Sequence, residues 1–246
     1  VSVLKPTGTG TISISTMGEP LIYTNSGVKM NILGGNLNLV GVNELSGDGY
    51  TFTGNATDGY ILSLNNLAIL GQLVLPSNVP VTIQTNSQSL INGIDFDNAN
   101  PGNLTFAGST PLSIIGDISG SGNNGDTVTF GIGTNVTVNG SINIGASGGA
   151  GGTVNVSGTG TTLNVNSDDS TGIYCDTVNV SGGAILNVTS SSRGIMAHEG
   201  GVNVTGGSTL TAGCDYGVYI IGGKLIVDAT SKLITNGSIA PFCIVD

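Results

Sequence analysis

The sequence predicts an all-β fold, a single-stranded, right-handed parallel β-helix with three strands per turn. Three observations predict it. A unit of about 24 residues repeats along the chain, apolar and polar residues alternate at period two inside each unit, and Gly, Asn, Asp and Ser mark the corners between the alternating runs. Residues 153–176 read TVNVSGTGTTLNVNSDDSTGIYCD and residues 177–200 read TVNVSGGAILNVTSSSRGIMAHEG. Residues 201–223 and 224–246 continue the series, so the unit is xVxVxGGxxLxVx, a variable loop, then GIxx. A fixed period of this length disfavours a β-sandwich, which has no such unit, and a propeller, whose blades repeat at about 40 residues or more.

Towards the N-terminus from Val154, the first apolar position of the unit recurs at Val128, Leu104 and Val81, in steps of 26, 24 and 23 residues. Towards the C-terminus it recurs at Val178, Val202 and Leu225, in steps of 24, 24 and 23. Leu62, Leu37 and Ile12 are the expected continuation, which would bring seven regular turns to ten. The whole chain, 1–246, is thus expected to form one solenoid domain, with irregular N-terminal turns or a cap over 1–80 and regular turns over 81–246. Pro6, Glu19 and Pro20 mark the stretch expected to cap the first turn. The final strand, Phe242 to Val245, carries no capping signal, from which further chain beyond it is expected.

The alternation assigns the side chains. Three inward columns follow: Val128, Val154, Val178, Val202 and Leu225; Val136, Leu163, Leu186, Leu210 and Leu233; Ile142, Ile173, Ile195, Val218 and Phe242. Cys175 is also expected to face inward, as a small hydrophobe. Outward, the first sheet carries Thr82, Thr105, Thr129, Asn155, Asn179, Asn203 and Ile226, and the third carries Tyr174, Met196 and Tyr219.

Composition restricts what such a rod can do. Of 246 residues, 42 are Gly, 8% are charged and none is Trp, which leaves a core of Val, Ile and Leu. The net charge is −10, and the five basic residues, Lys5, Lys29, Arg193, Lys224 and Lys232, are scattered. Nucleic acid and anionic membranes are therefore not expected as partners, and no apolar run is long enough for direct membrane insertion. Three cysteines, Cys175, Cys214 and Cys243, do not make a disulfide framework.

No catalytic constellation is evident, and the chain is not expected to be an enzyme. Polysaccharide hydrolysis takes two carboxylates facing one bond, and uronate lyases take a base beside cationic side chains. The adjacent pair Asp168 and Asp169 falls in the corner NSDDSTG and reads as turn residues, as do His198 and Glu199 in HEGG. A calcium ion is the one cofactor the composition favours, because hard cations take oxygen ligands. Its candidate segment is DFDNANPGN, with Asp95, Asp97, Asn98 and Asn100. Ala99 interrupts the pattern and no glutamate closes the loop, so an Asx-rich turn is the competing reading.

Ligand binding has two candidate faces. Asn155, Asn179 and Asn203 form a flat, uncharged strip that either stabilises the stack or meets a regular ligand. Tyr174, Met196 and Tyr219 form an apolar line whose rings, two turns apart, can stack on sugars unless a neighbouring loop covers them. The units VNVSGGAILNVTSSSRGI and VNVTGGSTLTAGCDYGV resemble those of bacterial surface proteins called carbohydrate-binding domain-containing proteins, a β-helix family of anaerobic Gram-positive bacteria. The resemblance covers residues 153–246. It implies an extracellular or surface-attached location, polysaccharide or cell-surface glycan as partner, and calcium in the turns. A non-catalytic module that binds polysaccharide or acts as an adhesin is the expected function. The alternatives are an ice-binding solenoid using the Thr/Asn face, or a polysaccharide-degrading β-helix enzyme.

Overall fold

In the computed structural model, residues 22–23, 29–96, 101–120, 125–145 and 151–245 are described. Among them there is no helix, and strands follow one another from Ile22–Tyr23 to Ala240–Val245. They wind into a β-solenoid of about seven turns at roughly 24-residue spacing. Because consecutive strands around a turn lie in different sheets, each strand finds its hydrogen-bonding partner one period away, in parallel.

The three inward columns stand in register. On the first sheet Val128 pairs with Val154, Val154 with Val178, Val178 with Val202 and Val202 with Leu225. On the second, Val136, Leu163, Leu186, Leu210 and Leu233 pair in succession. On the third, Ile142, Ile173, Ile195, Val218 and Phe242 do the same. All of these except Leu225, Leu233 and Phe242 are buried. Phe106 and Phe130 stack flat inside the coil, 4.8 Å apart at 7°, one turn above the other. Cys175 is fully buried, and that burial, with Asp176 beside it, pushes its thiol far above the ordinary range.

The N-terminal turns depart from the expectation. Tyr60, not Leu62, sits opposite Val81, and Leu62 pairs with Ile83 two residues on. Leu37 belongs to the third sheet, where it pairs with Leu73 and so lies under Ile94, Ile118 and Ile142. Ile12, Pro6, Glu19 and Pro20 lie outside the described residues. The first sheet is instead closed by an antiparallel meander of Leu45–Gly47, Tyr50–Asn55 and Gly59–Leu64. Reversing the chain there places Phe52 at 0% exposure, stacked 4.8 Å from the Tyr60 ring, and so covers the end of the apolar column.

At the opposite end nothing covers the last turn among the described residues. Side chains that continue the inward columns in the last turn are exposed, with Val227 at 38%, Phe242 at 52% and Ile244 at 44%. Polar ties hold this turn to the one before. Asp228 Oδ2 accepts the Gly206 N–H at 2.7 Å while Oδ1 accepts the Thr230 N–H at 3.0 Å and its hydroxyl at 2.9 Å. Those donors, the Gly206 N–H foremost, hold the carboxyl well below the usual carboxylate range.

Outside the coil the first-sheet strip is a hydrogen-bonded ladder. Asn203 Nδ2 donates to Asn179 Oδ1 at 2.9 Å, Asn179 Nδ2 to Asn155 Oδ1 at 2.9 Å, and Asn155 Nδ2 to Thr129 Oγ1 at 3.4 Å. The second sheet carries a similar rung that the sequence reading missed, Asn187 Nδ2 to Asn164 Oδ1 at 2.9 Å. Asn179 sits in two ladder bonds and Asn203 in one. With each bond contributing about 0.5–1.5 kcal/mol, Asn179→Ala should lower stability to urea by about twice as much as Asn203→Ala. Equal losses would show that the ladder bonds do not carry the effect.

Candidate functional site

The third sheet presents the densest group of aromatic and basic side chains. The long strands Thr171–Ser181 and Arg193–Val204, and the strand Tyr216–Ile221, put Tyr174, Met196 and Tyr219 in one outward column: Tyr174 pairs with Met196, and Met196 with Tyr219. Asn143 precedes Tyr174 in the column and Cys243 follows Tyr219. All three side chains are half-buried, and among the described residues side chains of adjoining turns lie against both rings.

Each ring is held by particular neighbours. Tyr174 meets the His198 ring edge-on, centroids 5.4 Å apart at 81°. It also lies across Gly145 of the turn below, where a Cβ would come 2.6 Å from its Cδ1. The Tyr219 ring carries the Arg193 guanidinium carbon 5.1 Å from its centroid and meets Tyr216 edge-on at 5.9 Å and 84°. A cation over a ring face and an edge against it are both favoured by the ring quadrupole, so these contacts fix the ring planes. Arg193 Nε and His198 Nε2 are buried and have no hydrogen-bond partner among the described residues.

Below Tyr174 the surface dips into a depression of about 290 Å³ lined by Ser141, Asn143, Asp169, Ser170, Thr171 and Tyr174. The corner between the second and third sheets forms its wall. There the Asp169 N–H donates to Ser167 Oγ at 3.1 Å, and the Ser191 hydroxyl donates to the Asp169 carbonyl at 2.8 Å. This segment is the turn that Asp168 and Asp169 were expected to make, and it places Asp169 in the lining of the depression. The result is an aromatic wall beside hydroxyl, amide and carboxylate groups.

His198 and Glu199 do not form the surface turn read from HEGG. Both lie within the strand Arg193–Val204, in a stretch where residues 198–200 oppose the single residue Asp176, and this bulge carries His198 to the Tyr174 ring. Arg193, His198 and Tyr216 are the members of the group that sequence reasoning passed over. His198 follows the outward Met196 by two, so alternation pointed to it, whereas Arg193 and Tyr216, register partners one turn apart, share the parity of the inward Ile195 and Val218, and alternation did not mark them as outward.

The other candidate positions lie apart from this face. Asn155, Asn179 and Asn203 are on the first sheet, with the amide groups turned toward one another along the ladder. Asp95 is in the strand Ser89–Phe96 rather than in a turn, half-buried between Val74 and Ser119, and burial pushes its carboxyl up. Asp97, Asn98 and Asn100 lie outside the described residues. Among the described residues no three His, Cys, Asp or Glu side chains come together to hold a metal ion.

Comparison with protein-family models, with curated proteins and with solved structures finds no match. The third-sheet face therefore rests on its own geometry.

Proposed function

We propose that the chain is a non-catalytic extracellular or surface-attached module that binds polysaccharide, acting as an adhesin where the glycan belongs to another surface. The observation that carries this reading is the registered column Tyr174, Met196 and Tyr219 beside a depression of polar side chains. Sugar rings offer an apolar face and a rim of hydroxyls, which such a surface meets with ring stacking and hydrogen bonds. Stacking contributes on the order of 1 kcal/mol per contact, so affinity accumulates only when several contacts act on one polymer. Long chains should therefore bind better than short oligomers. A net charge of −10 favours an uncharged glycan over a polyuronate unless a cation bridges them. Hydrolysis forms no part of the proposal, since it takes two carboxylates facing the bond and the lining of the depression contributes one, Asp169.

The test is affinity electrophoresis through gels containing neutral polysaccharides, comparing the parent with Tyr174→Ala/Tyr219→Ala. Two stacking contacts of about 1 kcal/mol predict about a 30-fold loss of affinity, with the far-UV spectrum unchanged. As the chain has six Tyr and no Trp, its intrinsic fluorescence reports tyrosines alone and should shift when the parent binds. Full retardation of the double variant would move the site elsewhere, with the Asn155, Asn179 and Asn203 strip next to be tested. Absence of retardation by any glycan would sink the reading.

A further inference from the structure

The spacing of the two tyrosines carries information about linkage and direction. Tyr174, Met196 and Tyr219 occupy three consecutive turns in unbroken register, so the tyrosines stand two strand spacings, about 9–10 Å, apart along the rod. A β-1,4-linked glycan in its extended form turns each ring over relative to the last, so that alternate rings offer the same face. Its two-ring repeat is about as long as two strand spacings. Glycans linked β-1,3 or α-1,6 coil or flex and do not hold alternate rings at this interval. A chain crossing the rod along the strands would meet only one tyrosine of this column, because the column runs perpendicular to the strands.

The neighbouring groups fit an axial path. Asn143 continues the column one turn below Tyr174 and lines the polar depression. Gly145 and His198 on one side, and Arg193 and Tyr216 on the other, hold the two rings in place before any ligand arrives. Such preorganisation lowers the entropy lost on binding.

Resting on the polysaccharide-binding reading, we propose that this face takes a neutral β-1,4-linked glycan laid along the rod axis, across the strands. Alternate sugar rings stack on Tyr174 and Tyr219, the ring between them passes over Met196, and the next ring reaches Asn143 at the depression. Four consecutive sugars are thus engaged by four consecutive turns.

The proposal is tested by changing the spacing while keeping two tyrosines. In Met196→Tyr/Tyr219→Ser the rings stand on adjacent turns, and no residue is removed from the coil. Parent and variant are run through gels of hydroxyethyl cellulose and glucomannan, both β-1,4-linked, and of laminarin and dextran, with circular dichroism as the fold control. The parent should bind the β-1,4 polymers at least about tenfold more tightly than laminarin or dextran, and the variant should lose that preference. If the variant keeps the parent's preference, spacing does not determine recognition and the proposal falls. If the parent prefers laminarin or dextran, and Tyr174→Ala/Tyr219→Ala abolishes that binding, the module binds polysaccharide but not in this way. If none of the four polymers retards the parent, this proposal is overturned together with the broader reading.

Discussion

Leu186→Ala is expected to lower the unfolding free energy by about 2–5 kcal/mol, and Leu233→Ala by a clearly smaller amount, in urea titrations followed by circular dichroism. Both leucines belong to the same second-sheet column, two turns apart, through Leu210. Leu186 is fully buried between Leu163 and Leu210, so truncation leaves a cavity that the turns above and below cannot fill. Leu233 is in the last turn, half-exposed, with nothing stacked beyond it among the described residues, so water already occupies part of the space a cavity would. Equal losses at the two positions would mean that the last turn is as well covered as the middle of the rod.

Gly201→Ala should be the most damaging of the glycine substitutions in the C-terminal turns. Gly201 has φ +71, and a Cβ there would run into the backbone carbonyl oxygen and nitrogen of Lys224 in the next turn. The left-handed conformation alone costs a side-chain-bearing residue about 1–2 kcal/mol, and the collision must move backbone besides. Two controls separate the contributions. Gly207, with φ +77 and open space around it, should lose only the conformational part on change to Ala. Gly213 has open space and no left-handed φ, so Gly213→Ala should be neutral or stabilising by up to about 1 kcal/mol. A melting temperature for Gly201→Ala no lower than that of Gly207→Ala would refute the close approach of the turns at this corner.

A parallel solenoid is unusually legible because its contact map is its period. Val154 touches Val178, and Val178 touches Val202, for the same reason that each pair is 24 residues apart, so aligning the repeats aligned the columns from Val128 to Phe242. Legibility ended where pairing direction changed. Alternation at period two marks the faces of a strand but not whether its partner runs parallel or antiparallel, and so the meander closing the first sheet was read as more turns. A local signal was present, since the two-residue link Asp48–Gly49 between Leu45–Gly47 and Tyr50–Asn55 is a hairpin dipeptide. The spacing of about 24 residues points instead to a continued series of turns, which puts Leu62 two residues out of register.

The sequence by itself determined the period, the inward aliphatic columns and the two outward lines, Asn155–Asn179–Asn203 and Tyr174–Met196–Tyr219, because each of these depends only on spacing along the chain. Tertiary structure alone decided what the outward side chains do there. The amides of the asparagines turn toward one another, which engages them within the ladder. The tyrosines are instead braced by residues of other turns, Tyr174 by Gly145 and His198, Tyr219 by Arg193. Those contacts depend on a bulge after Ala197 and on side-chain rotamers, and neither leaves a trace in the repeat, since a strand's alternation names the face a residue occupies but not the neighbour over which its side chain lies.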